Sequence, residues 1–314
     1  MADNINNINE NEVTPEQTAE TMKNKEISAV AKRQAVVKVL VQIALYAFLT
    51  IMAIMVLFPF YWMLMSSVKT IEEYNATVPT LWPQQFRWET YRVAFDAKGL
   101  NLGKLFVNTV YVGIISTLLS LVVTVLAAYA FARLEFKGKN ALFAALLATM
   151  MIPGELFTIT NYITVVKYLN WDNTFAALII PFLVSVFYIY LLRQNFLQIP
   201  NELYLAAKVD GTSDLKYLLK VMIPLAAPTL ISITILKMMG SWNSYIWPNL
   251  VNSDKAYWLI TVGLRSASFA DEFMNPDYPA QMAAVVLVTI PLLLVFLFFR
   301  KYIMRGVSRS GIKG

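Results

Sequence analysis

The chain contains no cysteine and no histidine. The first absence excludes a disulfide framework and thiolate chemistry. The second removes the commonest general base, proton relay and metal ligand. Charge is scarce too: Asp, Glu, Lys and Arg make up 15% of the 314 residues, against about 25% in an ordinary soluble domain. The sequence has no G-x-x-x-x-G-K-[ST] phosphate loop, so it lacks the usual means of holding ATP. With these side chains missing and the intramembrane carboxylates scattered, no catalytic constellation is visible, and an enzyme is not expected. The N-terminus has no basic start followed by a short apolar core, so no cleavable signal peptide is expected.

What is present is apolar. Hydrophobic residues make up 58% of the chain, the composition of a multi-pass membrane protein. A helix needs roughly 20 apolar residues to cross the hydrocarbon core. Six candidate spans meet that length, at about 39–68, 105–132, 141–166, 174–192, 221–247 and 281–299. The expected fold is all-α, integral to the membrane, with six transmembrane helices. Residues 1–31 are polar, rich in Asn, Glu and Thr, and read as a disordered tail. The segment 32–104 then holds the first span and an extracytoplasmic loop, 105–300 the core, and 301–314 a terminal tail.

Topology accounts for the net charge of +6 without nucleic acid. With the N-terminus in the cytoplasm, seventeen of the 26 Lys and Arg residues fall on the inner side and eight on the outer, while Lys237 lies within a span. Lys/Arg bias of this kind orients membrane proteins. It places both termini in the cytoplasm, with outer loops at about 69–104 and 249–280.

The most informative segment is 201–228, a charged stretch between two apolar runs. It reads as two short helices projecting into water. Pro200 suits a helix start, and Glu202 favours the same end through the helix dipole. Asp210-Gly211 ends the first helix, with Gly211 free to take positive φ. Thr212 or Ser213 can cap the second helix. Leu215, Leu218, Leu219 and Met222 follow i, i+3, i+4, i+7 spacing, the pattern of one apolar stripe. Pro224 and Pro228 mark a bend as the chain returns to the membrane. On these features alone, a surface amphipathic hairpin and a docking element are equally good readings.

The order Ala206-Ala207, Asp210-Gly211, Ile223-Pro224 resembles the coupling loop of permease subunits of ABC importers. Three more stretches resemble the carbohydrate branch, that of the maltose importer's second membrane component: GSWNSYIWP (240–248), MIPGE (151–155) and RGVSRSGIKG (305–314). One departure stands out: the family's loop usually has Glu directly before the alanine pair, where this chain has Leu205. The resemblance implies a type I ABC importer transmembrane fold, with 200–224 as coupling loop. It implies that Glu202, Leu205, Ala206, Ala207, Asp210, Gly211 and Pro224 meet a cytoplasmic ATPase dimer, which would bind the ATP and Mg. This chain would need no cofactor of its own. A second homologous permease subunit and an extracytoplasmic sugar-binding protein, met through the 249–280 loop, would complete the complex. The location implied is a bacterial plasma membrane.

Charged groups at membrane depth are functional candidates. Glu155 and Lys237 each sit roughly 22 Å from the inner face at about 1.5 Å per residue. Either they pair or jointly line the pathway, or Lys237 snorkels alone and Glu155 meets water above the Pro153-Gly154 break. Asn161, Trp242 and Asn243 complete the candidate translocation path. Trp242, Tyr245 and Trp247 suit both interface anchoring and stacking on sugar faces, with Asn243 bonding the hydroxyls. Met150, Met151, Met238 and Met239 read as core packing. Two other transport classes stay open: an ABC importer for a non-sugar solute, and an ion-coupled secondary transporter, which should not need a docking hairpin.

Overall fold

The computed structural model describes residues 15–96, 101–267, 269 and 276–308, with backbone alone at 15–33, 35 and 302–308. The described chain is helical, without a strand. It divides into two compact units, Met1–Trp62 and Met63–Gly314.

The first unit is occupied by helix α1, Pro15–Ser66, which continues into the start of the second. A disordered tail through residue 31 was expected, and the helix instead begins at Pro15. Proline fits a first helical turn, and the following Glu, Gln, Ala, Met and Lys residues rank high in helix propensity. Residues 1–14 of that tail lie outside the described residues. The apolar part, Val36–Ser66, has 31 residues, or about 46 Å at 1.5 Å per residue. That exceeds the roughly 30 Å hydrocarbon core, as expected for the first span.

The second unit carries the remaining spans. Helix α2 (Ile71–Tyr74) and helix α3 (Glu89–Phe95) give helical structure to the segment that follows the first span. Helix α4 (Leu102–Arg133) is the central element. Its buried stripe includes Thr109, Gly113, Ser116, Ser120, Thr124 and Ala128. Small residues three to four apart let neighbouring helices approach closely inside a membrane. At Gly113 the approach is tight: a Cβ there would stand 2.8 Å from the Met238 sulfur.

Helix α5 (Lys139–Thr149), helix α6 (Thr158–Tyr162) and a π-helical turn Ile163–Tyr168 form the third span, bent by 85°. The bend falls where Pro153 removes a backbone donor. Helix α7 (Phe175–Ile179) and helix α8 (Val186–Leu197) form the fourth, bent by 45°. Helix α9 (Asn201–Val209), helix α10 (Asp214–Tyr217) and helix α11 (Ile223–Leu225) build the charged hairpin and its return. Helix α12 (Ala227–Trp242) follows an 80° bend and is the fifth span. Helices α13 (Ile246–Val251) and α14 (Ile260–Ser266) fold back, and helix α15 (Tyr278–Ser308) is the last span. Among the described residues, three helices are long and apolar enough to cross a membrane, and up to six spans result when each bent pair counts as one.

The terminal tail expected from residue 301 is helical as far as Ser308, while 309–314 lie outside the described residues. Helix α4 packs against α8 and α12, α12 against α15, and α15 against α3. Asp277 starts α15, accepting the Ala280 N–H at 2.9 Å and an Arg87 N–H at 3.1 Å. This ties the segment between the first two spans to the last span.

Candidate functional site

The hairpin closes by local rules. Gly211 has φ +70°. The Thr212 N–H donates to Ala207 O at 2.8 Å and the Gly211 N–H to Lys208 O at 3.0 Å. This is a Schellman closure, which satisfies the last carbonyls of α9 and needs a residue tolerant of the left-handed region. Ser213 caps α10 by accepting the Lys216 N–H.

Helix α9 has two faces. Glu202, Leu205, Ala206 and Val209 lie at i, i+3, i+4 and i+7 on the exposed one, with Leu205 57% and Val209 88% accessible. Tyr204 and Ala207 lie on the other, against Tyr129, Phe196, Tyr217, Leu218 and Met222. The alanine pair is therefore split: Ala207 seats the helix on the bundle and Ala206 is presented outward. Asp210 and Gly211 are exposed at the tip, and Pro224 is exposed at the return. The expected single stripe on the second helix is also split. Leu218 and Met222 are buried while Leu215 and Leu219 are exposed. A π-helical stretch, Leu218–Met222, departs from the 3.6-residue turn that the stripe presumed.

Asp214 is the anchor that pattern reading missed. Its carboxylate accepts the Tyr129 hydroxyl at 2.8 Å, the Tyr204 hydroxyl at 3.0 Å and a Lys208 N–H at 2.9 Å. One side chain thus joins α9, α10 and α4. The carboxylate holds the Lys208 ammonium above its ordinary range. Burial, with the same hydrogen bond, raises the Tyr204 phenol. Lys208 and Tyr204 therefore keep their protons at neutral pH. The spacing Tyr204, Lys208, Asp214 is local and could have been read, but nothing in the sequence signals that Tyr129 reaches the same carboxylate. Beside this anchor, Arg133 at the end of α4 donates to Phe196 O and Ile199 O, and Arg193 of α8 donates to Phe131 O. Each arginine satisfies carbonyls that the other helix's terminus leaves unpaired.

A cavity of about 820 Å³ lies among α4, the broken third span, the bend before α8, and α12. Glu155, Asn161, Lys237 and Asn243 line it together with Tyr188, Tyr245 and Trp247. Glu155 and Lys237 share the cavity, yet no ion pair joins them among the described residues. Lys237 Nζ instead donates to Phe182 O at 2.7 Å, a carbonyl at the bend of the fourth span.

Trp242, the fifth candidate, does not line the cavity. It is 5% exposed and packs with Ala94, Leu105 and Ala283, its ring 5.8 Å from that of Phe106. Trp247 is 7% exposed and donates its indole N–H to Ala177 O at 2.9 Å, so it is core on one side and cavity wall on the other. Both rings are buried within the chain where α12 ends at Trp242 and the chain folds back into α13. Met150 and Met151 are 43% and 84% exposed and do not serve as core, while Met238 packs at Gly113.

The family model for binding-protein-dependent transport system inner membrane components matches residues 120–309. The arabinooligosaccharides transport system permease protein AraQ of Bacillus subtilis is 29% identical over 278 residues, covering 87% of this chain and 96% of the relative. The diacetylchitobiose uptake system permease protein NgcG of Streptomyces coelicolor is 31% identical over 272 residues, covering 84% and 87%. Among solved structures, a chain of a bacterial ABC transporter involved in the import of the acidic polysaccharide alginate has the same fold. Its TM-score is 0.73 at 24% identity, covering 83% of this chain and 95% of that one. The match runs from the second half of α4 to α15 and includes the hairpin. The chain belongs to the binding-protein-dependent transport system inner membrane components, the membrane permeases of ABC transporters.

Proposed function

We propose that this chain is one permease subunit of an ATP-driven importer that carries a sugar or oligosaccharide across the bacterial plasma membrane by alternating access. The observation that carries the reading is the apolar face Leu205-Ala206-Val209, presented outward on a hairpin whose other face is anchored at Asp214. Exposed apolar surface of this kind belongs against a partner. The partner is a cytoplasmic ATPase dimer, which binds ATP and Mg and meets Glu202, Leu205, Ala206, Ala207, Asp210, Gly211 and Pro224. The Lys/Arg bias puts the hairpin and both termini in the cytoplasm. A second permease subunit and an extracytoplasmic binding protein complete the importer. ATP shifts a two-state equilibrium because the closed ATPase pair binds the two permease states unequally.

The substrate class follows from the relatives' names and from the cavity's chemistry. Aromatic rings at Tyr188, Tyr245 and Trp247 and amides at Asn161 and Asn243 offer stacking faces and hydrogen bonds. The test is reconstitution with the co-purified ATPase, second permease and binding protein in liposomes. Uptake of a labelled oligosaccharide that requires ATP supports the reading. Uptake by this chain alone, without ATP, contradicts it.

In the same assay Glu155→Gln and Lys237→Met are expected to act independently, because Lys237 is held by Phe182 O and not by Glu155. Their free-energy losses in uptake should add to within about 0.5 kcal/mol. A double variant no worse than one single variant would mean that the two side chains pair during transport.

A further inference from the structure

A second, smaller cavity of about 360 Å³ lies where three spans end, among the last turns of α4 and α8 and the start of α5. Phe131, Glu135, Gly138, Lys139, Arg193 and Leu197 are among the residues lining it. Arg193 is held in place: its Nε donates to Phe131 O at 3.1 Å, and its guanidinium lies 4.1 Å from the centroid of the Phe143 ring. Those two contacts fix the plane of the fork. Among the described residues its terminal nitrogens meet no acceptor. Lys139, with a side chain 14% exposed, adds a second cation 3.4 Å from the Glu135 carboxylate, which is itself 89% exposed. Two cations and one largely solvated anion leave the cavity positive. Beside it, Leu142 and Leu197 remain 51% and 43% exposed.

A positive, open cavity at the end of apolar spans, with exposed leucines next to it, suits a ligand that is an anion at one end and apolar at the other. We propose that it binds the phosphodiester headgroup of an anionic phospholipid, with Arg193 presenting its fork to the phosphate and Lys139 adding charge. A pre-oriented guanidinium matches phosphate oxygens in pairs. Basic pockets between spans on the inner side of a membrane attract acidic headgroups. The volume falls at the lower end of the roughly 300–1,000 Å³ usual for ligand sites. A lipid is favoured over free phosphate because the leucines give acyl chains an apolar place to lie. The inference rests on the proposed topology, which puts this end of the spans at the cytoplasmic face, and it stands apart from the choice of transported solute.

The test uses the assembled transporter, exchanged into mixed phosphatidylglycerol and phosphatidylcholine micelles, with retained lipid measured by native mass spectrometry. The wild type is expected to enrich phosphatidylglycerol, and Lys139→Gln to lower that enrichment about fivefold, the loss of one basic contact near a lipid surface. Arg193→Lys keeps a cation but removes the fork and the flat stacking, and should lower it at least as much. Lys139 makes no tie between spans, so its variant stays interpretable even where Arg193 variants fold poorly. Thermal unfolding separates the sources: phosphatidylglycerol should raise the midpoint, and inorganic phosphate at equal concentration should not. Equal retention of the two lipids by the wild type, an equal shift from inorganic phosphate, or unchanged enrichment in Lys139→Gln would each overturn the proposal.

Discussion

Replacing Val209 by Asp is expected to abolish ATP-driven uptake while leaving the chain folded. Val209 is 88% exposed and contributes nothing to the core of its own bundle, so a surface substitution here should change folding by no more than about 0.5 kcal/mol. On the proposed interface the same position becomes buried against the ATPase. A carboxylate placed in a desolvated apolar contact without a partner costs about 2–4 kcal/mol, or about thirty- to thousandfold in affinity. The measurement is recovery of the ATPase with the tagged permease, beside thermal unfolding of the permease alone. Loss of the ATPase with an unchanged midpoint is the expected pair. Leu205 lies one turn before Val209 on the same face, and on the proposed interface its side chain would join the same apolar contact.

The second large effect is expected at Asp214. Asp214→Ala removes the acceptor shared by Tyr129, Tyr204 and Lys208. The side chain is 41% exposed, so its bond to Lys208 is screened and counts for little in stability. The two tyrosine bonds matter more, at about 1 kcal/mol each. What is lost is the fixed angle between the docking helix α9 and the span α4. The expected outcome is near-normal ATPase recovery with uptake per ATP hydrolysed falling about tenfold. Tyr129→Phe should show the same signature more weakly, since it removes only the link to α4. An unchanged ratio of uptake to hydrolysis in both variants would show that the hairpin transmits force without this anchor.

Local rules made the hairpin readable. Asp210-Gly211 ended α9 with the expected closure, and Pro153, Pro224 and Pro228 fell at bends of the chain. The six apolar runs matched spans because length and hydropathy are properties of contiguous sequence. Misreadings came where distant residues decide the outcome. Trp242 sits in the core because Ala94 and Ala283 leave room for it, and neither position announces that from afar. Leu219 parts from Leu218 and Met222 within a π-helical stretch, where residue spacing presumed a regular helix. Met151 is exposed at the 85° break, where the regular helix its spacing presumed is interrupted. The start of α1, residues 15–31, was read as disordered from polarity, although its residues favour a helix.

The central claim is that the exposed face of α9 is the contact through which a separate ATPase drives this permease. The chain has no cysteine, so Val209→Cys introduces a single thiol at the most exposed apolar position of that face. The decisive measurement is cross-linking of this thiol in membranes from the native host, with the partner identified by mass spectrometry. The account expects one dominant product with a P-loop ATPase, its yield changing when ATP is added. A thiol that is freely labelled by a water-soluble reagent and cross-links to no ATPase, in membranes that still import the solute, would contradict it.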